Sequence, residues 1–202
     1  MKKVLFFAVY LLFGLIVVKA QDLNFGVKGG VNFASITGDF TDDLNSRTSL
    51  HFGVVAEIGI SEKFSFQPEL LYSAQGAKYD DSDGYSGTTK LDYLNIPLIA
   101  KYYVAEGFSL EAGPQIGFLL SAKDEYESPG DSGEDDVKDF VKGIDFGINL
   151  GVGYKLEGGL NFGARYNLGL SNLNDYDMSD FEEIGSFDWK NGVFQISVGY
   201  FF

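Results

Sequence analysis

The sequence predicts an all-β fold, an eight-stranded antiparallel up-and-down transmembrane β-barrel preceded by a cleaved signal peptide. Three observations carry that expectation. Apolar residues recur with a period of two along most of the chain, the connections between those segments alternate short and long, and the chain stops on the alternating stretch "GVFQISVGYFF", Gly192 to Phe202. Side chains of a strand point to opposite faces in turn, so a period of two is its signature. In the closing stretch Phe194, Ile196, Val198, Tyr200 and Phe202 share one face, and Gln195, Ser197 and Gly199 the other.

The chain begins with Lys2 and Lys3, an apolar run from Val4 to Val18, and "VKA" before Gln21. A positive start, an apolar stretch of about 15 residues and a small residue at the cut make a secretory signal. Cleavage is expected after Ala20, which leaves residues 21–202 as the barrel domain. A spanning helix usually needs about 20 apolar residues, more than this run supplies. Losing Lys2, Lys3 and Lys19 takes the formal charge from −14 to −17, a surface that repels nucleic acid. The absence of cysteine excludes a disulfide-stapled scaffold and any thiolate site. The 26 glycines and 16% aromatic residues favour strands over helices.

Taken in order, the alternation predicts strands at Phe25–Ala34, Leu50–Ile60, Phe64–Gly76, Leu91–Tyr103, Phe108–Leu120, Gly143–Tyr154, Leu160–Leu168 and Val193–Phe202. Strands of roughly ten residues suit a tilted bilayer crossing. The second and third are joined by "SEK", the fourth and fifth by "VAEG", the sixth and seventh by "KLEGG". The other connections, Ser35–Ser49, Ala77–Lys90, Ser121–Lys142 and Gly169–Asn191, are long and rich in Asp, Glu, Ser and Gly. Short turns at one end and long loops at the other is the outer-membrane pattern.

The direction of the oily face separates a barrel in lipid from a barrel in water. In the sixth strand Phe146, Ile148, Leu150, Val152 and Tyr154 alternate with Asp145, Gly147, Asn149, Gly151 and Gly153. The seventh repeats the pattern, with Leu160, Phe162, Ala164, Tyr166 and Leu168 against Asn161, Gly163, Arg165 and Asn167. Eight strands enclose a space that side chains just fill, so glycine and short polar groups belong inside. The bulky set then faces outward, which lipid requires and water would punish by aggregation. A last strand closing on the first leaves no open edge.

The segments "FQPELLYSAQGAKY", "YLNIPLIAKYY" and "LEAGPQIGFLL" resemble the PorT-like outer-membrane β-barrel family of Bacteroidota, and "KAQ" is a familiar signal end in that phylum. The resemblance covers essentially the whole mature chain. It implies an OmpA/OmpX-like barrel in the Gram-negative outer membrane with both termini in the periplasm. Founding members serve a secretion and gliding apparatus, so a secretion-accessory role is among its implications. It also implies that Tyr200 and Phe202 form the signal read by the barrel-assembly machinery.

Inward parity collects the charges Lys28, Glu57, Glu69, Lys101, Glu111, Asp145 and Arg165 in the lumen. Buried charges must be paired, so these are expected to form a network bridged by Gln67, Gln75, Gln115 and Asn149. A packed polar core blocks passage; a looser one makes a narrow ion channel. Pro68, Pro97 and Pro114 interrupt three strands, and bulges that shift the parity are expected there.

The single histidine, His51, lies at the predicted outer end of the second strand beside Thr48 and Ser49. Catalysis on lipid would need a nucleophile and an orienting group within reach, which no motif supplies, so no catalytic residue and no cofactor is expected. The third and fourth loops, "KDEYESPGDSGEDDVKDF" and "DYDMSDFEEIGSFDW", concentrate acid, which keeps loops solvated or could hold divalent cations. "DDSDG" in the second loop fails the calcium pattern. With Gly84 at the invariant glycine, Tyr79 takes the first ligand position and Lys90 stands where a bidentate Glu belongs. Phe40, Tyr126, Phe140, Tyr176, Phe181, Phe187 and Trp189 offer a docking face for a protein partner or an aromatic belt. The expected partners are outer-membrane lipid and lipopolysaccharide, the assembly machinery, and a protein at the loops. The leading expectation is a structural or interaction barrel, ahead of a channel, a lipid-modifying enzyme resting on His51, and a soluble carrier.

Overall fold

The computed structural model describes residues 23–80, 84–175 and 188–202. The predicted signal peptide, Asp81 to Asp83 of the "DDSDG" stretch, and Tyr176, Phe181 and Phe187 lie outside these residues. The strands are β1 Leu23–Gly38, β2 Leu44–Ser61, β3 Phe64–Asp80, β4 Ser86–Ala105, β5 Phe108–Ser128, β6 Asp131–Asp136, β7 Ile144–Lys155, β8 Leu160–Gly169 and β9 Trp189–Phe201. Each pairs antiparallel with its neighbours, and the ring closes where β1 meets β9, from Gly26 opposite Phe201 to Gly38 opposite Trp189. Eight strands form the wall. The ninth, β6, pairs with the far end of β5 and stands outside the ring.

One end carries the tight turns at Glu62–Lys63, Glu106–Gly107 and 156–159, together with Phe202. The three turns fall where the sequence places them. Gly107 takes φ 72°, and a Cβ there would strike the Lys155 carbonyl, so the β4–β5 hairpin needs glycine. The opposite, loop end departs from expectation. Most of the predicted first three loops is strand, since β1 runs to Gly38, β2 begins at Leu44, β3 runs to Asp80, β4 begins at Ser86 and β5 runs to Ser128. The reason is that the ladders continue past the apolar zone, with Tyr79 opposite Gly87 and Gly87 opposite Tyr126. On this extension the Tyr79 phenol donates to Asp124 at 2.9 Å, and burial together with that bond pushes its pKa up to about 12.

Outward and inward faces follow the predicted alternation. Ile148, Phe162 and Val198 are 41%, 43% and 49% exposed, whereas Asn149 and Arg165 are 0% and 3% exposed. A girdle of that composition around a closed ring of strands belongs in hydrocarbon. The lumen is less uniformly polar than expected, because Val55, Leu71, Leu91, Tyr93 and Ile99 of β2, β3 and β4 are buried as well. The opposite wall explains this, since glycines at the inward positions 147, 151, 153 and 163 of β7 and β8 leave room for larger groups.

The prolines do not flip the parity. Pro68 faces Leu98, Pro97 faces Gln115 and Pro114 faces Ile148, with registers preserved on both sides of each. Only ladder pairs beside Pro68 and Pro97 are missing, because a proline withholds one donor without adding a residue. Register shifts occur instead between Ser46 and His51, between Gly59 and Ser61, where β5 inserts Leu120 opposite the step from Asp92 to Tyr93, and between Tyr103 and Ala105.

Candidate functional site

The candidate site is the barrel interior. Six of the seven predicted lumen charges form one connected array. Arg165 of β8 donates to Glu69 of β3 across the lumen at 3.0 and 2.9 Å, and to Glu111 of β5 at 2.9 Å. Lys28 of β1 reaches Glu69 at 3.3 Å. Lys101 of β4 lies 3.4 Å from Glu57 of β2 and 3.6 Å from Glu111. Three carboxylates therefore face three cations in this set, and Lys155 adds a fourth beside Glu57 at the turn end. Neighbouring amide and phenol groups complete the array: Gln67 donates to Glu69 at 2.7 Å, Lys101 donates to Gln67 at 3.1 Å, and Tyr103 donates to Glu57 at 2.6 Å. Filling the remaining lone pairs in this way is what makes buried charge tolerable.

Asp145 stands apart from this array. It sits near the loop end of β7, where Ser171 donates to it at 2.5 Å and Asn191 at 2.9 Å. The parity of Asp145 is as predicted, but its height in the barrel separates it from the cations, and a period of two carries no information about height. Among the described residues no ion pair reaches it.

Two contributors at the turn end are absent from the sequence expectation. Lys155 pairs with Glu57 at 3.4 Å, and its ammonium lies 4.4 Å from the centre of the Phe201 ring, which is buried inside the mouth. Parity would have found both. Lys155 continues the inward series of Asp145 to Gly153, and Phe201 that of Gln195 to Gly199. Tyr200 and Phe202 point outward, with their rings edge to face at 5.8 Å.

Above the ionic array lies an amide layer. Asn32 accepts Gln195 at 2.9 Å, donates to Ser73 at 3.0 Å, and shares a 2.7 Å bond with His51 Nδ1. His51 is therefore buried in the lumen and not on the outer rim, because it shares the inward parity of Val55 and Glu57. Ser49, its expected neighbour, donates to the Ala74 carbonyl at 2.6 Å. Asn149 donates to Gln115 and accepts from Asn167, both at 3.3 Å.

The loop-end mouth is closed by apolar side chains. Ile36, Ala77, Leu91, Tyr93, Leu119, Ala122 and Leu173 form one buried cluster, with Leu44, Val137 and Val141 packed against it. The backbone holds this cap in place. Lys142 N–H donates to the Leu173 carbonyl at 2.8 Å, Leu173 N–H to Trp189 at 2.7 Å and Asp175 N–H to Phe140 at 3.0 Å. Of the described aromatics, Phe40 is the most exposed, at the tip of the β1–β2 turn with φ 55°. Trp189 opens β9, and its indole N–H donates to the Asp39 carbonyl at 2.9 Å. Among the described residues no group of three or more His, Cys, Asp or Glu side chains is placed to hold a metal ion.

Comparison with known proteins agrees with this geometry. Residues 19–175 match the family described as outer membrane protein beta-barrel domain. No curated protein matches the sequence. Among solved structures, Ail, the attachment invasion locus protein of Yersinia pestis, is similar with a TM-score of 0.57 and 14% identity over 90% of this chain and 100% of that one. Neisserial surface protein A is similar with a TM-score of 0.52 and 14% identity over 89% of this chain and 99% of that one. At such identities the likeness concerns the fold.

Proposed function

The chain belongs to the outer membrane protein beta-barrel domain family and is an integral outer-membrane β-barrel of the Gram-negative type, and from that premise we propose that it is a sealed, non-catalytic interaction barrel. In this reading the turn end and both termini face the periplasm, and the long connections face the exterior. The carrying observation is the lumen, with the ion-paired array of Arg165, Glu69, Glu111, Lys28, Lys101 and Glu57 at its centre, Phe201 at the turn end and the Leu173 cluster at the loop end. A filled interior leaves the exterior connections as the working surface, where a protein partner and lipopolysaccharide dock.

Planar-bilayer recording tests the seal. The purified barrel is expected to give no steady open state, and a stable single-channel conductance would replace this reading with the channel. The geometry of His51 supports a role in packing, since its ring is buried against Asn32 and Ser49 points to a backbone carbonyl. Unchanged lipid A in a host carrying His51→Ala is the expected result. The resemblance of "YLNIPLIAKYY" and its companion segments to PorT-like proteins supports a place beside a secretion apparatus. Affinity capture from outer membranes, with secretion components recovered, is the corresponding test.

A further inference from the structure

Residues of one face in neighbouring strands stack in rows across the sheet, and the rows outside the girdle are rich in charge. Leu120 is the last large apolar group on the lipid-facing side of β5. One row farther out, Lys90 of β4 stands opposite Lys123 of β5, which faces Asp136 of β6, and Lys138 binds the Leu120 carbonyl at 2.8 Å. The next row on the same face is Lys78, Thr88, Glu125 and Glu134, and the next is Asp80, Ser86, Glu127 and Ser132. Three lysines thus sit at the edge of the hydrocarbon zone, with Asp92 and Asp136 beside them and further acid in the rows beyond, in a chain whose net charge is strongly negative.

These outer rows border a groove of about 690 Å³, lined by Asn45, Lys78, Ser86, Thr88, Glu127 and Ser132 among others. Its side chains both donate and accept hydrogen bonds, as the hydroxyls of a saccharide demand. Lys90 and Lys123 share one carboxylate, Glu134, at 3.2 and 2.5 Å, and Lys90 also holds Glu125 at 2.7 Å. The two ammonium groups keep the Glu134 carboxyl below its ordinary pKa range. Glu134 belongs to β6, the strand outside the ring, so it can leave without disturbing the wall.

We infer that this face of β3, β4, β5 and β6 binds a phosphorylated glycolipid of the outer leaflet, with phosphate on Lys90, Lys123 and Lys138 in place of Glu134, and saccharide in the groove beyond. Cations beside a membrane attract anionic headgroups, and lysine is a common phosphate partner. The inference rests on the loop end facing the exterior, and it gives the lipopolysaccharide partner a named site.

The test is titration of purified lipopolysaccharide against the barrel in phosphatidylcholine nanodiscs, which expose both ends of the protein. Saturable binding is expected. Lys90→Gln with Lys123→Gln should weaken it by about tenfold or more. Glu134→Gln should tighten it, because the internal competitor is gone; a cluster that served only the strands would give no gain. Ser86→Ala with Thr88→Val should weaken lipopolysaccharide and leave phosphatidylglycerol, a phosphate lipid without sugar, unaffected. Equal affinity for phosphatidylglycerol, no saturable binding, or indifference to the lysine and Glu134 changes in variants with unaltered circular dichroism would overturn the inference. Orientation is read separately by protease access to the loops of intact cells, so a failure there is not confused with a failure of the site.

Discussion

Replacing Arg165 by Met isolates the energetic role of the ionic array. The guanidinium makes three hydrogen bonds of 2.9–3.0 Å to two carboxylates and is 3% exposed. Methionine fills much of the volume, so the main effect is electrostatic. Glu69 then keeps only Lys28 and Glu111 only Lys101, while Glu57 retains both Lys101 and Lys155, so two carboxylates lose their closest cation. Breaking a buried pair by removing one partner costs about 3–5 kcal/mol. Lys28 at 3.3 Å from Glu69 and Lys101 at 3.6 Å from Glu111 remain and place the expected loss at the lower end, about 3 kcal/mol. Removing a carboxylate left with one cation, by Glu69→Gln in the same chain, should return at least about 1 kcal/mol of that loss, although each single change is destabilising. Urea unfolding in detergent micelles, followed by Trp189 fluorescence and by heat-dependent gel mobility, measures all three variants. If Arg165→Met costs less than about 1 kcal/mol, or if the two changes simply add, the array does not work as a coupled unit.

The remaining expectations concern single positions. Gly153→Val should destabilise by about 1–3 kcal/mol, because a side chain there collides with the Glu111 carboxylate; the same unfolding assay reads it. Leu150→Arg, in the lipid-facing row of β7, should cost about 2–4 kcal/mol in a bilayer and far less in micelles, which a comparison of the two media would show. His51→Ala should lose about 1–3 kcal/mol through the broken bond to Asn32 and leave lipid composition unchanged. Leu173→Asp puts a charge into the apolar cap and should loosen the loop end, seen as faster proteolysis there. Ion conduction should not follow, since the array beneath stays intact.

The sequence showed some features of this fold clearly and hid others, and the difference follows their physical origin. The wall and its faces were legible because lipid outside and a cramped lumen inside impose opposite chemistry on alternate residues, as Ile148 and Asn149 illustrate. Six lumen charges came together for the same reason. Strand β6 was hidden: "DSGEDD" has the composition of a loop, and its pairing to β5 is supported by Lys123 against Glu134. The bulge at Leu120 was hidden too, since no glycine or proline marks it, while the prolines drew attention to positions where the register holds. The height of Asp145 depends on strand stagger, which emerges only when the ring closes.

Several of the partners that meet in the lumen are far apart along the chain. Arg165 and Glu69 are separated by 96 positions, Lys155 and Glu57 by 98. Hairpins can zip one after another during insertion, but these charges find each other only once the final strand has sealed the circle. Any open intermediate must keep its ionised groups wet, and so cannot sink fully into the bilayer. Closure and complete immersion are thereby fused into one cooperative event, and an unfinished barrel is held at the membrane surface.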